Sequence, residues 1–296
     1  MILVTGATGF VGPKVAHALR AAGSEVRALV RRPSRARTLE RWGCELAEGD
    51  VADAASVRRA AEGCDAVVHL VSIISGRLDD FERVMVQGTS NVVAAADAAG
   101  CRRIVLMSAL GVSEQTRALV PYYAAKWSME ESVRASGLEH VIFRPSFVFG
   151  RDGGVLPLFV KQVRWSPVTP VIGAGEHRLQ PIWVDDVAAF FAAAVDLPAA
   201  ANRTFDLGGP DRPTWNELYE RIARTLGKRR ARVHVPVGVA RLGAAVAELL
   251  PRPPLTRDQL TMLEAGDNVG DPAPAVEAFG IEPVGLDEQL RRAVPG

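Results

Sequence analysis

Net charge is almost absent from this chain: 35 Lys and Arg face 34 Asp and Glu over 296 residues, leaving +1. A nucleic-acid binder held by one basic face needs a large cation excess, so that class is excluded. Cysteine is scarce as well. Cys44, Cys64 and Cys101 are odd in number, fit no zinc spacing and stand beside no His-rich stretch. Such a set reads as reduced, buried thiols, and reduced thiols point to a cytoplasmic chain. His17, His69, His140, His177 and His234 are scattered, with no carboxylates at ligand spacing, so no metal is assigned. Long apolar runs are missing too, since none without charge reaches the roughly 18 residues that span a bilayer. The nearest, VAAFFAAAVDLPAAA and VGVARLGAAVAELL, are broken by Asp196, and by Arg241 and Glu248. They read as buried or amphipathic helices, with a peripheral membrane contact through the second as the alternative. A leader is not visible: MILVTG enters a strand-like run directly, so the fold is expected to begin at residue 1.

What the chain does have is alternation. MILVT, EVRALV, CELAEG, AVVHLVSI, RRIVLMS and HVIFRPS are short apolar runs. Helical stretches are expected between them, at Val11 to Ala22, Ser34 to Trp42, Ala54 to Glu62, Asp80 to Ala99 and Tyr122 to Ser136. Continuous apolar strands separated by helices predict an α/β fold with a doubly wound parallel sheet covered on both faces. After Gly150 the texture changes. SPVTPVIGAGEHRLQP reads as loop, and helices are expected near Val184 to Leu197, Trp215 to Leu226, Val239 to Leu249 and Arg257 to Glu264. Residues 1–150 are therefore expected to form a dinucleotide-binding core and 151–296 a small, mostly helical C-terminal lobe. QPIW and RTFDLGG are expected to return to the main sheet, and the segment after Gly266 to pack as an irregular tail.

LVTGATGFVG places Gly6, Gly9 and Gly12 between the first strand and the first helix. Gly6 permits the tight turn, Gly9 a close approach to a pyrophosphate, and Gly12 close packing of helix on sheet. The helix N-terminus then offers N–H groups and a positive dipole end. Thr8, Phe10 and Val11 belong to the same loop. Where an NAD-binding chain usually has an acid, this one reads ALVRRPSRAR, with Arg31 and Arg32 at the strand end and Arg35 and Arg37 behind. Arginine pairs bidentately with phosphate, so NADPH is expected over NADH, with NAD still admissible. A solvated basic loop is the alternative. Asp50 and Val51 follow the third strand and are placed for the adenine, with Asp53 as N-cap of the next helix. Leu70 and Val71, and Pro145 after the sixth strand, complete the expected cofactor lining.

VPYYAAKWSMEE holds Tyr122 and, four residues on, Lys126. Spacing alone leaves open a proton-transfer pair or two ordinary helix residues. Taken in order, Gly6-x-x-Gly9-x-x-Gly12, Asp50-Val51, Tyr122-x-x-x-Lys126, RPSFVFG at 144–150 and PIWVDDVAAF at 181–190 resemble the extended and atypical short-chain dehydrogenases/reductases. PLTRDQLTMLEAGDNVGD, beginning at Pro254, is similar to the tail of the atypical subgroup that includes the NADPH-binding accessory subunit of mitochondrial complex I and its bacterial relatives. The resemblance implies a Rossmann core, Tyr122 as acid/base, and Lys126 as a cofactor-ribose contact whose charge lowers the tyrosine pKa. Tyr123 would point elsewhere.

The chain departs from the family in two places. The catalytic hydroxyl usually sits where Ala109 stands; Ser108, one residue earlier, is the remaining candidate. In Met85-Val86-Gln87-Gly88-Thr89-Ser90-Asn91 the first asparagine of the family pattern has become Met85, while Asn91, whose family counterpart supports the lysine through water, is kept. The resulting expectation is an NADP(H)-binding oxidoreductase acting on an unidentified carbonyl or alcohol. The alternatives are a non-catalytic nucleotide-binding subunit of a larger respiratory-type complex, and a sugar-nucleotide epimerase/dehydratase. A homodimer and a membrane-peripheral complex both stay open. His69 reads as a core or cofactor-lining residue, the GRDGGV segment as a loop over the substrate or a simple turn, and His177 and Arg178 as substrate-facing.

Overall fold

The six apolar runs, joined by a strand from RTFDLGG, become the seven parallel strands of one sheet. The computed structural model describes residues 1–250, 253 and 255–294; Pro254, at the head of the tail resemblance, lies outside the described residues. In chain order the elements begin β1 (Ile2–Thr5), α1 (Gly12–Ala21), β2 (Val26–Val30), α2 (Arg37–Arg41), β3 (Glu45–Glu48), α3 (Ala54–Ala61), β4 (Ala66–His69) and α4 (Leu78–Asp80). A π-helical turn, Phe81–Val86, leads into α5 (Gln87–Ala98), followed by β5 (Arg103–Met107), α6 (Pro121–Arg134) and β6 (Glu139–Pro145). The rest is β7 (Val148–Phe149), α7 (Leu156–Trp165), β8 (Val168–Ile172), β9 (Ile182–Trp183), α8 (Val184–Ala194), β10 (Arg203–Leu207), α9 (Trp215–Thr225), β11 (Ala231–Val235), α10 (Val237–Ala247), α11 (Arg257–Glu264), α12 (Ala273–Phe279) and α13 (Leu286–Ala293).

These elements fall into two compact units. The first comprises Met1–Pro145, Val184–Leu207 and Asp271–Glu282. Its sheet runs β10-β6-β5-β4-β1-β2-β3, with every neighbouring pair parallel. All four residues of β1 and of β4 are buried, as strands covered on both faces require, so no period-two polarity survives in their sequence. The fold is thus the doubly wound α/β architecture expected. α8 and β10, both beyond residue 150, belong to this unit, where α8 packs on α1 and α12. Phe143 on β6 stacks with Phe191, Phe205 and Phe279, joining β6, α8, β10 and α12 in one aromatic cluster.

RTFDLGG does return to the main sheet, as β10 beside β6. QPIW does not: β9 pairs with β7 in a separate two-stranded sheet of the second unit. Pro181 removes a ladder donor at one end, and α8 begins directly at the other, leaving only two strand residues. SPVTPV, expected as loop, contains β8, which pairs in parallel with β11. Pro170 is tolerated there because this strand has a single neighbour in a two-stranded sheet. The tail is not irregular either. α12 ends on Gly280 in the left-handed region (φ 63°), and α13 buries Leu286, Gln289 and Leu290 along one stripe. GRDGGV is a held turn: Phe149 bridges Gly154, and Arg151 donates to the Arg292 carbonyl.

Candidate functional site

The chain leaves β1 through Gly6, whose φ of +74° is open to few other residues. A Cβ there would lie 2.9 Å from the Leu70 carbonyl carbon and 3.0 Å from the Val71 nitrogen, so the exit of β4 presses on the turn. Gly9 N–H donates to the Gly6 carbonyl at 3.0 Å. Gly12 is the tightest point, because a Cβ on it would sit 2.2 Å from the Gly6 oxygen and 2.6 Å from Ala7 Cα. The three glycines therefore form one folded-back loop that excludes side chains, with Val11 buried, Phe10 half-buried and Thr8 exposed. No side chain caps α1, no acid occupies its first turn, and Pro13 lies in that turn. An uncapped helix start of this kind suits a pyrophosphate. Gly12→Ala should consequently abolish dinucleotide binding and destabilise the fold by about 1–3 kcal/mol, the usual cost of overpacking; a thermal melt and a nucleotide titration check both. Unchanged NADPH affinity in that variant would contradict the role given to the loop.

Arg31 and Arg32 follow β2 directly, at the same edge of the sheet as the glycine turn after β1. Both are exposed, and neither appears in an ion pair among the described residues. After β3, the Asp50 carboxylate accepts from Ala52 N–H, while Asp53 caps α3 by accepting from Ala55 N–H. Val51 is buried beneath this loop, and its carbonyl accepts from the Asn91 side-chain amide at 2.8 Å. Asn91 therefore pins the loop after β3. The lysine's hydrogen bond goes elsewhere.

Pro121 opens α6, its fixed φ suiting the first helical position. Lys126 is fully buried, and Nζ donates to the Met107 carbonyl at the end of β5 at 2.6 Å. Burial pulls its pKa down to about 7 despite the nearby Glu130 carboxylate. The ammonium stands 5.9 Å from the centroid of the half-buried Tyr122 ring. Desolvation pushes the Tyr122 phenol up to about 12, against a hydrogen bond with Ser72 that acts the other way. Desolvation is thus the largest cause of the phenol's shift, and the lysine 5.9 Å from the ring does not reverse it. Tyr123 is buried beside it, rings tilted at 6.0 Å.

Ser108 is also committed elsewhere. Its hydroxyl donates to Glu130 Oε1 at 2.5 Å, one helical turn beyond Lys126. Arg144 grips the same carboxylate bidentately at 2.8 and 2.6 Å, and Arg134 adds a bond at 2.7 Å. Burial would raise the Glu130 pKa, but these donors outweigh it and hold the carboxyl below its ordinary value. Ser108 is thus directed at Glu130 in this structure, and a substrate-directed role would require breaking that bond. Met85, at the place of the family's asparagine, is a fully buried apolar residue of the π-helical turn, which packs against α6.

His69 lies buried between Thr5 and Thr89. The Thr89 hydroxyl donates to the Met85 carbonyl, so it accepts from the imidazole, which places the ring proton on Nε2 and leaves Nδ1 to accept from Thr5. Burial, then the charge of Lys126, push His69 down to about 3, so it is a neutral structural residue. In the second unit, Arg178 N–H donates to Asp267 and its guanidinium to the Arg212 carbonyl, while His177 stands 3.6 Å from Asp267. Sequence reasoning passed over Ser72, Glu130 and the Met107 carbonyl. Glu130 repeats the Tyr122–Lys126 interval once more along the helix, which is the one signal that pointed to it.

A glycine turn feeding an uncapped helix, at the first strand of a parallel sheet ordered 3-2-1-4-5-6, defines a dinucleotide-binding α/β protein. Residues 6–198 match the NAD(P)H-binding family, and the chain belongs to it. Among curated proteins it is 32% identical over 249 residues to the ceramide reductase of Caulobacter vibrioides, covering 83% of this chain and 77% of that one. It is 29% identical over 301 residues to subunit 9 of the NADH dehydrogenase [ubiquinone] 1 alpha subcomplex of Mus musculus, covering 98% and 79%. Among solved structures, the NADPH complex of the Escherichia coli quinone oxidoreductase QOR2 superposes with a TM-score of 0.80 at 21% identity, covering 98% of each chain. That last likeness is one of fold.

Proposed function

We propose that this protein is an NADPH-preferring oxidoreductase of the atypical short-chain dehydrogenase/reductase type, reducing a carbonyl through Tyr122 and Lys126. The observation that carries the reading is the pair itself: a phenol and a fully buried amine one turn apart on α6. The glycine loop and the start of α1 would hold the pyrophosphate, Arg31 and Arg32 a ribose phosphate, and the loop at Asp50 and Val51 the adenine. Bound there, NADPH supplies the hydride. Tyr122, with its pKa near 12, keeps its proton at neutral pH and is therefore suited to donate it to a substrate oxygen. Ser72, exposed and near enough to influence the phenol, offers a route by which that proton is replaced from solvent. Lys126, with its pKa near 7, recovers its charge readily when an oxygen acceptor approaches Nζ. The reductase name of the Caulobacter relative supports this direction of reaction.

Cofactor choice is tested by titrating the purified protein with NADPH and NADH, followed by nicotinamide fluorescence. Charge-assisted bonds are worth about 1.5–3 kcal/mol when enclosed. The exposed Arg31 and Arg32 should realise part of that, giving roughly a tenfold or larger preference, since ~1.4 kcal/mol is tenfold. Arg31→Ala with Arg32→Ala should erase the preference and leave NADH affinity unchanged. Equal affinities in the wild type, or NAD carried through purification, would favour the epimerase reading instead.

A second reading has its own support. The match to the mouse respiratory subunit spans 98% of this chain. Met85 offers no polar group, and the Ser108 hydroxyl is bound to Glu130. On this reading the nucleotide stabilises a subunit of a larger complex and no turnover occurs. Affinity capture from the native cell that returns no partner counts against it.

A further inference from the structure

The chain is nearly neutral, but its charge is segregated. Between Glu220 and Glu248, residues 221–247 hold seven Lys and Arg and no Asp or Glu. The outer cations, such as Arg224 and Arg241, are paired with carboxylates. Lys228, Arg229 and Arg230 are in no ion pair among the described residues; Arg230 donates only to the Val163, Arg164 and Arg229 carbonyls. These three cations line an open cleft of about 730 Å³ in the second unit, together with Glu220, whose carboxylate is paired with Arg224 and Arg232. Trp165, next to the Arg164 whose carbonyl Arg230 holds, is 76% exposed.

Apolar exposure is segregated to the same part of the chain. Among the described residues, all the exposed large apolar side chains except Ile74, Leu78 and Leu119 lie in 158–168 and 233–250. On α10 and just beyond it, Val239, Leu242, Val246 and Leu249 form a stripe at spacings of three and four. Ala244, on the opposite side, is buried, and α11 packs on α10, tied to it by Arg241–Glu264 and to its end by Arg257–Glu248. The unpaired cations, the exposed strand β11 and the apolar stripe follow one another from Lys228 to Leu250 without an intervening acid until Glu248.

We infer that residues 228–250, with Trp165, form a docking surface for an anionic lipid bilayer. The charge sign selects the occupant. A second copy would bring cations against cations, whereas lipid phosphates attract them. The composition fits as well: a helix with an apolar stripe and basic neighbours, and a tryptophan whose ring suits the headgroup region. α10 has 11 residues, about 16 Å at 1.5 Å per residue, so it lies in the interface and does not cross. The inference does not rest on the oxidoreductase reading, because every element it uses belongs to the second unit and the dinucleotide loop to the first.

The test is co-sedimentation of the full chain with vesicles of phosphatidylcholine alone or mixed with phosphatidylglycerol. Binding is expected only to the mixed vesicles, weakening at high salt. Leu242→Asp with Val246→Asp, and separately Lys228→Glu with Arg229→Glu, should each reduce binding roughly tenfold or more. NADPH affinity and the thermal melt should both stay unchanged, the melt reporting that the second unit still folds. At matched ionic strength, inorganic phosphate should release no more protein than sodium chloride does, since a phosphate cleft alone would be saturated by it. Three results would overturn the inference: no sedimentation of the wild type with phosphatidylglycerol, release by inorganic phosphate beyond that by chloride, or a dimer in light scattering that Leu242→Asp with Val246→Asp dissociates.

Discussion

Tyr122→Phe loses turnover by a factor of roughly 10²–10⁴, the usual contribution of a positioned acid, and leaves the NADPH titration unchanged. The substitution removes one oxygen. The ring stays against Tyr123, and Lys126 keeps its bond to the Met107 carbonyl. No hydrogen bond among the described residues joins the glycine loop to the phenol, so cofactor affinity is expected to hold. The pH dependence follows from the same groups. With the phenol near 12, Tyr122 is protonated throughout the neutral range and contributes no limb to the profile. With Lys126 near 7, the charged fraction falls as pH rises through neutrality, and reduction should slow with it. Carbonyl reduction with NADPH, followed between pH 5.5 and 9, measures both, with those limits chosen to bracket a group at about 7. Full activity in Tyr122→Phe refutes the proton-donor role. Absence of turnover in the wild type across a broad carbonyl screen moves the accessory-subunit reading ahead.

Legibility in the sequence tracks how local the physics is. Gly6, Gly9 and Gly12 were readable because a turn, a close approach and a helix contact are decided within ten residues. The central strands β1 and β4 were readable because burial on both faces writes itself as an unbroken apolar run. α9 and α10 announced themselves by length and stripe. α12 and α13, at 7 and 8 residues, are too short for a period to emerge among prolines and glycines. β8 was hidden by Pro170, which excludes a central strand but not one with a single neighbour. At the site, Tyr122 and Lys126 could be named, but not what each touches. The Ser72 partner comes from the loop after β4, and Met107 contributes a backbone oxygen that no side-chain identity encodes. Ser108 was readable as a hydroxyl at the end of a strand; its partner lies 22 residues on, and the arginine that completes the cluster lies on β6.

Glu130→Ala should destabilise the protein by about 3–5 kcal/mol, the cost of removing one partner from a buried ion pair. Glu130 is fully buried and holds Ser108, Arg144 and Arg134 together. Without it, half-buried Arg144 keeps a charge without its bidentate partner, and the buried Ser108 hydroxyl loses its acceptor. The pH signature separates this from simple loss of packing. The folded-state pKa of Glu130 lies below its ordinary value, so the unfolded chain binds the proton more tightly. The carboxylate's stabilisation is therefore fully present above the unfolded pKa and disappears as pH falls through the lower folded value. The gap between wild type and Glu130→Ala should be widest near pH 7 and narrow in acid, as measured by urea unfolding across that range. Glu130→Gln, which keeps an acceptor for Ser108 but removes the charge, should fall between the two at pH 7. The charge also reaches the proton-transfer pair, since Glu130 is the group that lifts Lys126 against its burial. In Glu130→Gln the alkaline decline of reduction should consequently begin at lower pH than in the wild type. A pH-independent stability gap would reduce Glu130 to a packing residue, and an unshifted decline would uncouple it from Lys126.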